Sequence, residues 1–266
     1  MAIPRSISAL AFLIISFLFL QSHTVKSLSF KFRSFYSHDN AITVEGDAFA
    51  SHGRLRLTKT NHGVPQPNSA GRASFSKPAR LWDAKTGKLA AFSTSFSFIV
   101  SPSSSSSGVL GDGFSFFVAP FNSYLPSNSS GGFLGLFSPP TALNSHANRI
   151  VAVEFDTFGN PWDPTRSGHI GIDVNSIASV KTSSWNVEKG LTGIATISYD
   201  PSQKRLSVDV SYPENKGKRS SSRLSAYVDL RTVLPEWVRV GFSGATGEEV
   251  ELHKILSWDF ISSDLY

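Results

Sequence analysis

The chain has no cysteine, a single methionine and few charged residues. Among its 266 residues, only 17% are Asp, Glu, Lys or Arg. The absence of cysteine excludes disulfides, thiol nucleophiles, zinc ribbons and iron–sulfur centres. A charged fraction well below the usual quarter argues against long charged helices and coiled coils. We therefore expect a fold held together by apolar burial, with bound metal as a further source of stability.

Apolar and aromatic residues are abundant enough to form a large core. They include 21 Phe, and 40% of the chain is hydrophobic, which excludes wholesale disorder. The 25 basic and 20 acidic residues give a formal charge of +5 and are spread along the chain. This diffuse charge does not indicate a surface for nucleic acid.

The N-terminal segment has the layout of a secretory signal. Arg5 precedes an apolar run from Ala9 to Leu20, and a short polar stretch follows. The run of about a dozen residues is shorter than a membrane span requires, and no second long apolar run follows. We predict that residues 1–27 are a signal peptide. Residues 28–266 are then expected to form one soluble domain, secreted to an extracellular or vacuolar destination, with no membrane span.

Alternation of apolar and polar residues recurs along the remaining chain. It is clear in residues 92–100 and 151–156, and a last pattern places Leu256, Trp258 and Phe260 on one face. These segments are rich in Phe, Val, Ile and Thr, and no segment has a convincing helical period. Many short strands separated by turns predict an all-β sandwich.

Acidic and amide side chains cluster in one short segment. Glu154 and Asp156 are two apart on a predicted strand, so both carboxylates leave the same face. A Gly-Asn-Pro turn containing Asn160 lets Asp163 fold back toward them, and His169 opens the next strand pattern. Carboxylate, amide and carbonyl oxygens suit calcium, whereas carboxylates with one imidazole suit manganese or another transition ion. The segment predicts a metal site, and a solvated acidic turn with a surface histidine is the alternative.

Two enzymatic interpretations are disfavoured. On a strand, Glu154 and Asp156 would lie about 6–7 Å apart, near the separation found in glycosidases. Both stand beside Asp163, however, and nothing would raise the pKa of one of them selectively. A serine hydrolase of the Gly-x-Ser-x-Gly type is also disfavoured, because that motif is absent. We therefore expect no catalysis.

Two segments, one of which contains Glu154 and Asp156, resemble the signatures of a known family. Residues 151–157 read Val-Ala-Val-Glu-Phe-Asp-Thr, and residues 234–243 read Leu-Pro-Glu-Trp-Val-Arg-Val-Gly-Phe-Ser. In these motifs, and along essentially the whole mature chain, the sequence resembles the legume lectins. The resemblance implies a concanavalin-like antiparallel β-sandwich, or jelly roll, with a flat back sheet and a curved front sheet. It also implies non-catalytic carbohydrate binding and assembly into homodimers or homotetramers.

The resemblance assigns the metal ligands. The transition ion, expected to be Mn²⁺, would be held by Glu154, Asp156, Asp163 and His169, with Ser179 acting through water. The Ca²⁺ ion would be held by Asp156, the Phe158 carbonyl, Asn160 and Asp163.

The resemblance also implies a sugar pocket built from separate loops. The Asp112 carboxylate would accept hydrogen bonds from two sugar hydroxyls, and the Gly132 N–H would donate one. Asn160 would donate from its amide while calcium holds its oxygen, and the Phe158 ring would cover the apolar side of the sugar. Each exchanged hydrogen bond gains only about 0.5–1.5 kcal/mol, so these groups must be fixed in advance.

Two features bear on which sugar is bound. The family usually has Ala, in a cis peptide bond, before the pocket aspartate, and this chain has Gly111. The segment from Glu248 to Leu256 resembles the short loop of mannose/glucose-binding members more than the longer loops of galactose binders. Within it, Glu249 is expected to accept a sugar hydroxyl beside the charge of Glu248. Mannose/glucose is the predicted class, with galactose as the alternative.

Asn128 begins the single N-glycosylation sequon of the chain, Asn-Ser-Ser. A glycan there would lie four residues before Gly132, close to the expected pocket. Glycoproteins and free oligosaccharides are the expected partners. A lectin-like storage or defence protein with weak or lost sugar binding is the alternative function.

Overall fold

A computed structural model of the chain describes residues 27–103, 109–213, 220–263 and 265. The predicted signal segment therefore lies outside the described residues, except for Ser27. In the described ranges, no helix is both long enough and apolar enough to cross a membrane.

The described residues form eighteen strands and two short helical segments. The strands are β1 (Ser29–Phe32), β2 (Ile42–Gly46), β3 (Phe49–Ser51), β4 (Arg54–Arg56), β5 (Thr60–Asn61), β6 (Val64–Pro65), β7 (Ser69–Phe75), β8 (Ala79–Arg80), β9 (Phe92–Pro102), β10 (Gly113–Pro120), β11 (Val151–Asp156), β12 (His169–Val174), β13 (Lys181–Ser184), β14 (Thr192–Asp200), β15 (Arg205–Tyr212), β16 (Ser220–Tyr227), β17 (Trp237–Thr246) and β18 (Glu251–Ser262). The helical segments are a 3₁₀ helix (Gly131–Phe133) and α1 (Leu230–Val233).

Most strands belong to two antiparallel sheets, each with eight strands among the described residues. The back sheet has the order β16-β15-β14-β9-β18-β4-β3, with β1 beside β18. The front sheet has the order β13-β12-β11-β10-β17-β7-β2, with β8 beside β17. Strands β5 and β6 pair separately. The predicted all-β sandwich is confirmed.

Phenylalanine rings fill the space between the two sheets. Phe96 of β9 packs edge-on against Phe242 of β17, with ring centroids 4.8 Å apart. Phe114 and Phe155, on adjacent strands of the front sheet, stack at 4.5 Å. All four side chains are buried, and such ring pairs add about 0.5–1.5 kcal/mol each beyond area burial. The core therefore fixes β10, β11 and β17, whose ends carry the candidate site.

The last strand departs from the predicted alternation. The pairing of β18 with β9 shifts register between Ile255 and Ser257. Ile255 is fully buried together with Trp258 and Phe260, whereas Leu256 is only partly buried. The prediction that Leu256 shares the face of Trp258 and Phe260 is wrong, because a bulge inserts one residue and changes which side chain points inward.

Candidate functional site

Segments that are distant in sequence meet at one end of the front sheet. β10 begins at Gly113, directly after Asp112, and Gly113 pairs with Asp156 at the end of β11. It also pairs with Ala245 near the end of β17. His169, the first residue of β12, pairs with Asp156. Because antiparallel neighbours run in opposite directions, the start of each strand lies beside the end of the next. The sheet itself therefore brings the acidic segment and Asp112 together.

Glu154, Asp156 and His169 form a buried cluster of metal-ligating groups. They are 1–2% exposed, and their ligand atoms lie within 4.8 Å of one another. Nε2 of His169 lies 3.0 Å from Oε1 of Glu154. The second oxygen of Glu154 has no hydrogen-bond partner. The alternative of a solvated acidic turn with a surface histidine is wrong for these residues, and buried, unpartnered ligand atoms are suited to a cation.

Ser179 and Asp173 extend this cluster beyond Glu154. Oγ of Ser179 lies 2.7 Å from Oε1 of Glu154 and 2.6 Å from Oδ1 of Asp173. A Cβ on Gly171 would overlap the oxygens of Ser179 and Glu154, so this packing requires glycine. Sequence reasoning missed Asp173. The available signal was its position on β12, two residues after Gly171 and four after His169, which puts all three on one face.

The turn that follows β11 is closed by hydrogen bonds among its polar groups. Oδ1 of Asp156 accepts a hydrogen bond from the Phe158 N–H at 2.8 Å, and Oδ2 of Asp163 accepts one from the Asn160 N–H at 2.5 Å. Oδ1 of Asn160 is buried without a partner. The Phe158 side chain is partly exposed and lies outside the hydrophobic core. This turn therefore offers carboxylate, amide and carbonyl oxygens, which are the ligands that calcium prefers.

Burial and the charges of neighbouring acids raise the pKa values of Asp156 and Asp163. Burial, followed by the charges of Glu154 and Asp163, raises the pKa of Asp156 to about 10. Burial also raises the pKa of Asp163 to about 6. For His169, burial opposes the charged form, but the hydrogen bond and charge of Glu154 outweigh it and raise the pKa. The residues fit bound cations, because a cation would favour the ionised carboxylates that burial alone disfavours.

Asp112 presents a buried carboxylate just outside the start of β10. The residue is 5% exposed, and its Oδ2 has no hydrogen-bond partner. Its carbonyl accepts a hydrogen bond from the Thr157 N–H at 2.9 Å, and its peptide bond to Gly111 is cis. Burial raises the pKa of Asp112 to about 7, although hydrogen bonding with the Gly247 backbone acts to lower it. An unpartnered acceptor in this position suits a ligand hydroxyl.

Two glycine-containing loops close on Asp112 and Asn160. A Cβ on Gly131 would lie 4.0 Å from both carboxylate oxygens of Asp112, and a Cβ on Gly247 would lie 2.9 Å from one of them. A Cβ on Gly132 would overlap the Asn160 amide, with Nδ2 only 2.6 Å away. The structure therefore brings Asp112, Gly132 and Asn160 together from three separate loops.

The connection from β17 to β18 is shorter than the sequence suggests. Only residues 247–250 lie outside strands, because β18 already begins at Glu251. Most of the predicted loop from Glu248 to Leu256 is therefore strand. Glu248 is exposed, and Glu249 is partly buried. The Cβ of Glu249 would lie 2.8 Å from a Cβ on Gly111, the residue before Asp112, so Glu249 lies at the same pocket. Its charge adds to the larger effect of burial in raising the pKa of Asp112.

A buried polar chain beside the pocket was missed by sequence reasoning. Oε1 of Glu251 accepts a hydrogen bond from the Thr157 hydroxyl at 2.8 Å and lies 2.7 Å from Nε2 of His253. Nδ1 of His253 lies 3.4 Å from the Thr58 hydroxyl. Glu251 is fully buried and His253 nearly so. The sequence shows Glu251 and His253 two residues apart at a strand start. Ionisable residues are usually exposed, so the burial of these two follows only from their tertiary contacts.

The sequon residue Asn128 lies in an exposed turn before the 3₁₀ helix, with a φ of 56°. The hydroxyl of its neighbour Ser129 donates a hydrogen bond to the Pro126 carbonyl at 2.7 Å. The local backbone is therefore held in a turn that leaves the Asn128 side chain on the surface.

Comparison with known proteins identifies close relatives over the whole described domain. Residues 27–265 match the family described as Legume lectin domain. Lectin 7 of Medicago truncatula is 55% identical over 273 residues, which cover 99% of each chain. The mannose/glucose-specific lectin of Centrolobium tomentosum is 47% identical over 247 residues, covering 90% of this chain and 97% of the relative. Among solved structures, lectin UEA-II complexed with galactose has a TM-score of 0.80 at 45% identity, covering 89% of this chain and 98% of that one.

Fold, site composition and relatives agree with the resemblance noted in the sequence. Legume lectins bind carbohydrate and are not enzymes, and they generally hold calcium and a transition metal. The match covers both sheets and every candidate site residue. The chain belongs to the legume lectin family.

Proposed function

We propose that this lectin binds sugars of the mannose/glucose class in a shallow, metal-ordered site. The observation that carries the proposal is the convergence of Asp112, Gly132 and Asn160, three residues from separate loops, at one end of the front sheet. Asp112 and Asn160 each keep one buried oxygen without a partner. Buried polar atoms of this kind are nearly always paired, so their pairing is expected to come from bound ligand and metal.

Each pocket residue has a separate task in the proposed site. Asp112 accepts hydrogen bonds from two sugar hydroxyls, and the Gly132 N–H donates one. Asn160 donates from its amide nitrogen, while the partly exposed Phe158 ring covers the apolar side of the sugar. Glu249 accepts a further hydroxyl, and Glu248 contributes negative charge at the exposed edge of the site.

The acidic cluster is proposed to hold two ions. Glu154, Asp156, Asp163 and His169 would hold a transition ion such as Mn²⁺, with Ser179 acting through water. Asp156, the Phe158 carbonyl, Asn160 and Asp163 would hold Ca²⁺. When bound, these ions would supply positive charge to the carboxylates and fix the Asn160 amide. The raised pKa values of Asp156 and Asp163 and the unpartnered Oε2 of Glu154 support this assignment.

The sugar class rests on the short connection between β17 and β18. Residues 247–250 leave little chain to extend over the pocket, and a relative of similar length is named as mannose/glucose-specific. Galactose is the second candidate, because the similar UEA-II structure was solved with galactose. Monosaccharide affinity is expected to be millimolar to sub-millimolar, roughly −4 to −5.5 kcal/mol, because few hydrogen bonds are exchanged.

We further propose secretion and assembly as properties of the mature protein. Residues 1–27 would be removed as a signal peptide, leaving residues 28–266 as one lectin domain; legume lectins are typically secreted or vacuolar. Asn128, exposed in its turn, would carry an N-glycan. Dimers or tetramers would supply the avidity that a weak monosaccharide site lacks. Intact-mass measurement of the native protein tests the cleavage and the glycan together.

The sugar class is tested by competition for an immobilised mannose-rich glycoprotein. The metal-loaded protein is expected to be displaced by methyl α-mannoside and methyl α-glucoside but not by methyl β-galactoside. Displacement by galactoside alone would reverse the proposed class. Failure to bind either a mannose-rich or a galactose-rich surface would favour the storage or defence alternative.

A further inference from the structure

Gly111 is buried and precedes the proposed sugar-binding Asp112. A Cβ at this position would lie 2.8 Å from the Cβ of Glu249 and 3.4 Å from its carbonyl carbon and oxygen. The first distance is shorter than carbon atoms of this kind tolerate. The Cβ of Glu249 is fixed to its own backbone, so a rotamer change cannot relieve the overlap. A side chain at position 111 would therefore displace residue 249 itself.

The backbone of Gly111 does not itself demand glycine. Its φ lies outside the left-handed region in which glycine is favoured, unlike that of Gly113, which is +144°. Close approach of Glu249 is thus the feature that excludes a side chain at position 111. A side chain at position 111 would require the β17–β18 connection to lie farther from the backbone of this residue.

The same connection also contacts the carboxylate of Asp112. A Cβ on Gly247 would lie 2.9 Å from Oδ2 of Asp112. The Gly247 carbonyl accepts a hydrogen bond from the Asn68 N–H at 2.9 Å. The connection is therefore held by a hydrogen bond at Gly247, and two residues later Glu249 packs against Gly111. Its position relative to Asp112 depends on the contact between Gly111 and Glu249.

We propose that Gly111 is a specificity-determining position. Because this residue has no side chain, Glu249 can lie beside Asp112, and both carboxylates can accept hydrogen bonds from the same ligand. This inference rests on the proposed sugar-binding function. Two adjacent acceptors favour neutral sugars with neighbouring hydroxyl donors. They disfavour sugars that carry a carboxylate at that point, because like charges repel. Ala at position 111 displaces Glu249, weakens binding of the neutral sugar and relaxes the discrimination against a uronic acid.

The test is a set of substitutions that separates the Cβ of Glu249 from its charge. Gly111→Ala is combined in turn with Glu249→Gly, which removes that Cβ, and with Glu249→Ala, which keeps it. Glu248→Gly serves as the matched control, because it removes an adjacent exposed acid. Sugar affinity is measured by calorimetry with methyl α-mannoside, methyl β-galactoside and methyl glucuronide on metal-loaded protein, and stability is measured by urea unfolding.

We expect Gly111→Ala to weaken binding of the preferred neutral sugar about tenfold, the effect of a moderate overpacking cost. In the Glu249→Gly background the same substitution is expected to change affinity by less than about twofold. Glu249→Ala and Glu248→Gly are not expected to remove its effect. If Gly111→Ala does not fold alone, addition of Glu249→Gly, and not of Glu249→Ala, restores folding.

The inference would be wrong if Gly111→Ala lowered sugar affinity equally in all backgrounds while the parent protein bound sugar. That result would leave the proposed function unaffected. Absence of sugar binding by the metal-loaded parent would overturn the proposed function and, with it, the specificity role. In that case the unfolding measurements still report on the contact itself: non-additive effects of Gly111→Ala and Glu249→Gly would show that the packing exists.

Discussion

At the scale of single residues, the site is built from polar atoms that the fold buries without pairing them. Asp112, Asn160 and Glu154 each have an oxygen that is buried without a partner. Leaving such groups unpaired costs about 1–3 kcal/mol each, more when they are charged. The protein therefore carries an energetic cost at this end of the sheet that ligands and metals can remove.

The substitution Asp112→Asn tests this view at the proposed pocket. Sugar affinity is expected to fall about 10- to 100-fold, because the variant loses a charged acceptor whose hydrogen bonds contribute about 1.5–3 kcal/mol. Burial raises the pKa of Asp112 to about 7, so removing the carboxylate should stabilise the fold above that pH. Calorimetry and thermal unfolding measure the two effects. The control Asp209→Asn removes a partly exposed carboxylate on β15 of the back sheet, away from the pocket, and should change affinity by less than about twofold.

The substitution Gly171→Ala tests the packing inside the metal cluster. The added methyl group would overlap the oxygens of Ser179 and Glu154, so the Glu154 carboxylate must move. We expect transition-metal affinity to fall at least about tenfold, the range seen when groups supporting a metal site are disturbed. Metal titration followed by competition with a chelator measures it. Unchanged metal affinity would show that Glu154 is not a ligand.

At the scale of elements, the strand order explains why sequence reasoning found part of the site. Glu154, Asp156 and His169 lie on paired strands β11 and β12, so spacing alone could bring them together. Glu251 and His253 could not be found in this way. Their partners, Thr157 and Thr58, become neighbours only when β18, the turn after β11 and the segment after β4 meet in the folded sandwich.

More of the fold than of the site could be predicted from the sequence, because strand patterns are local and the site depends on tertiary contacts. Alternation with a period of two is a local property, so most strands were readable. The bulge between Ile255 and Ser257 was not, because it depends on pairing with β9. The contact of Gly111 with Glu249 was hidden as well, because a glycine required by close approach looks in sequence like any turn glycine.

The substitution Glu251→Ala tests the link between β18 and the turn after β11. It leaves the Thr157 hydroxyl and His253 without their acceptor and opens a cavity. Leaving two buried polar groups without an acceptor and opening a cavity is expected to lower the free energy of unfolding by about 2–5 kcal/mol. Glu251→Gln, which keeps the volume and one acceptor, should lose less. Urea unfolding compares the two variants, and equal losses would contradict the proposed link.

At the scale of the whole molecule, metal, protonation and folding are one linked equilibrium. In the metal-free protein the pKa values of Asp112, Asp163 and Asp156 are raised to about 7, 6 and 10. All three lie above the value of about 3.9 expected in an unfolded chain. These groups bind protons more tightly when folded, so their stabilisation is complete below about pH 4 and is lost as the pH rises through the folded values. The raised pKa of His169 acts in the same direction.

This linkage predicts opposite pH dependence with and without metal. Between about pH 5 and pH 8, the EDTA-treated protein should lose thermal stability as the buried carboxylates ionise. The protein loaded with calcium and manganese should gain stability relative to it, because metal binds the deprotonated acids and releases protons. Thermal unfolding at several pH values, with and without EDTA, measures the difference. Parallel curves for the two samples would contradict the assignment of the acidic cluster as the metal site.

We propose above that bound metal orders a sugar site at the end of the front sheet. The most direct test is a calorimetric titration of the mature protein with methyl α-mannoside. The titration is performed with calcium and manganese, after EDTA treatment, and again after both ions are restored. We predict saturable binding that disappears without metal and returns with it. Mannoside binding of equal strength in the EDTA-treated protein would contradict the ordering of the site by metal, because Asp112 and Asn160 would then bind sugar without the ions.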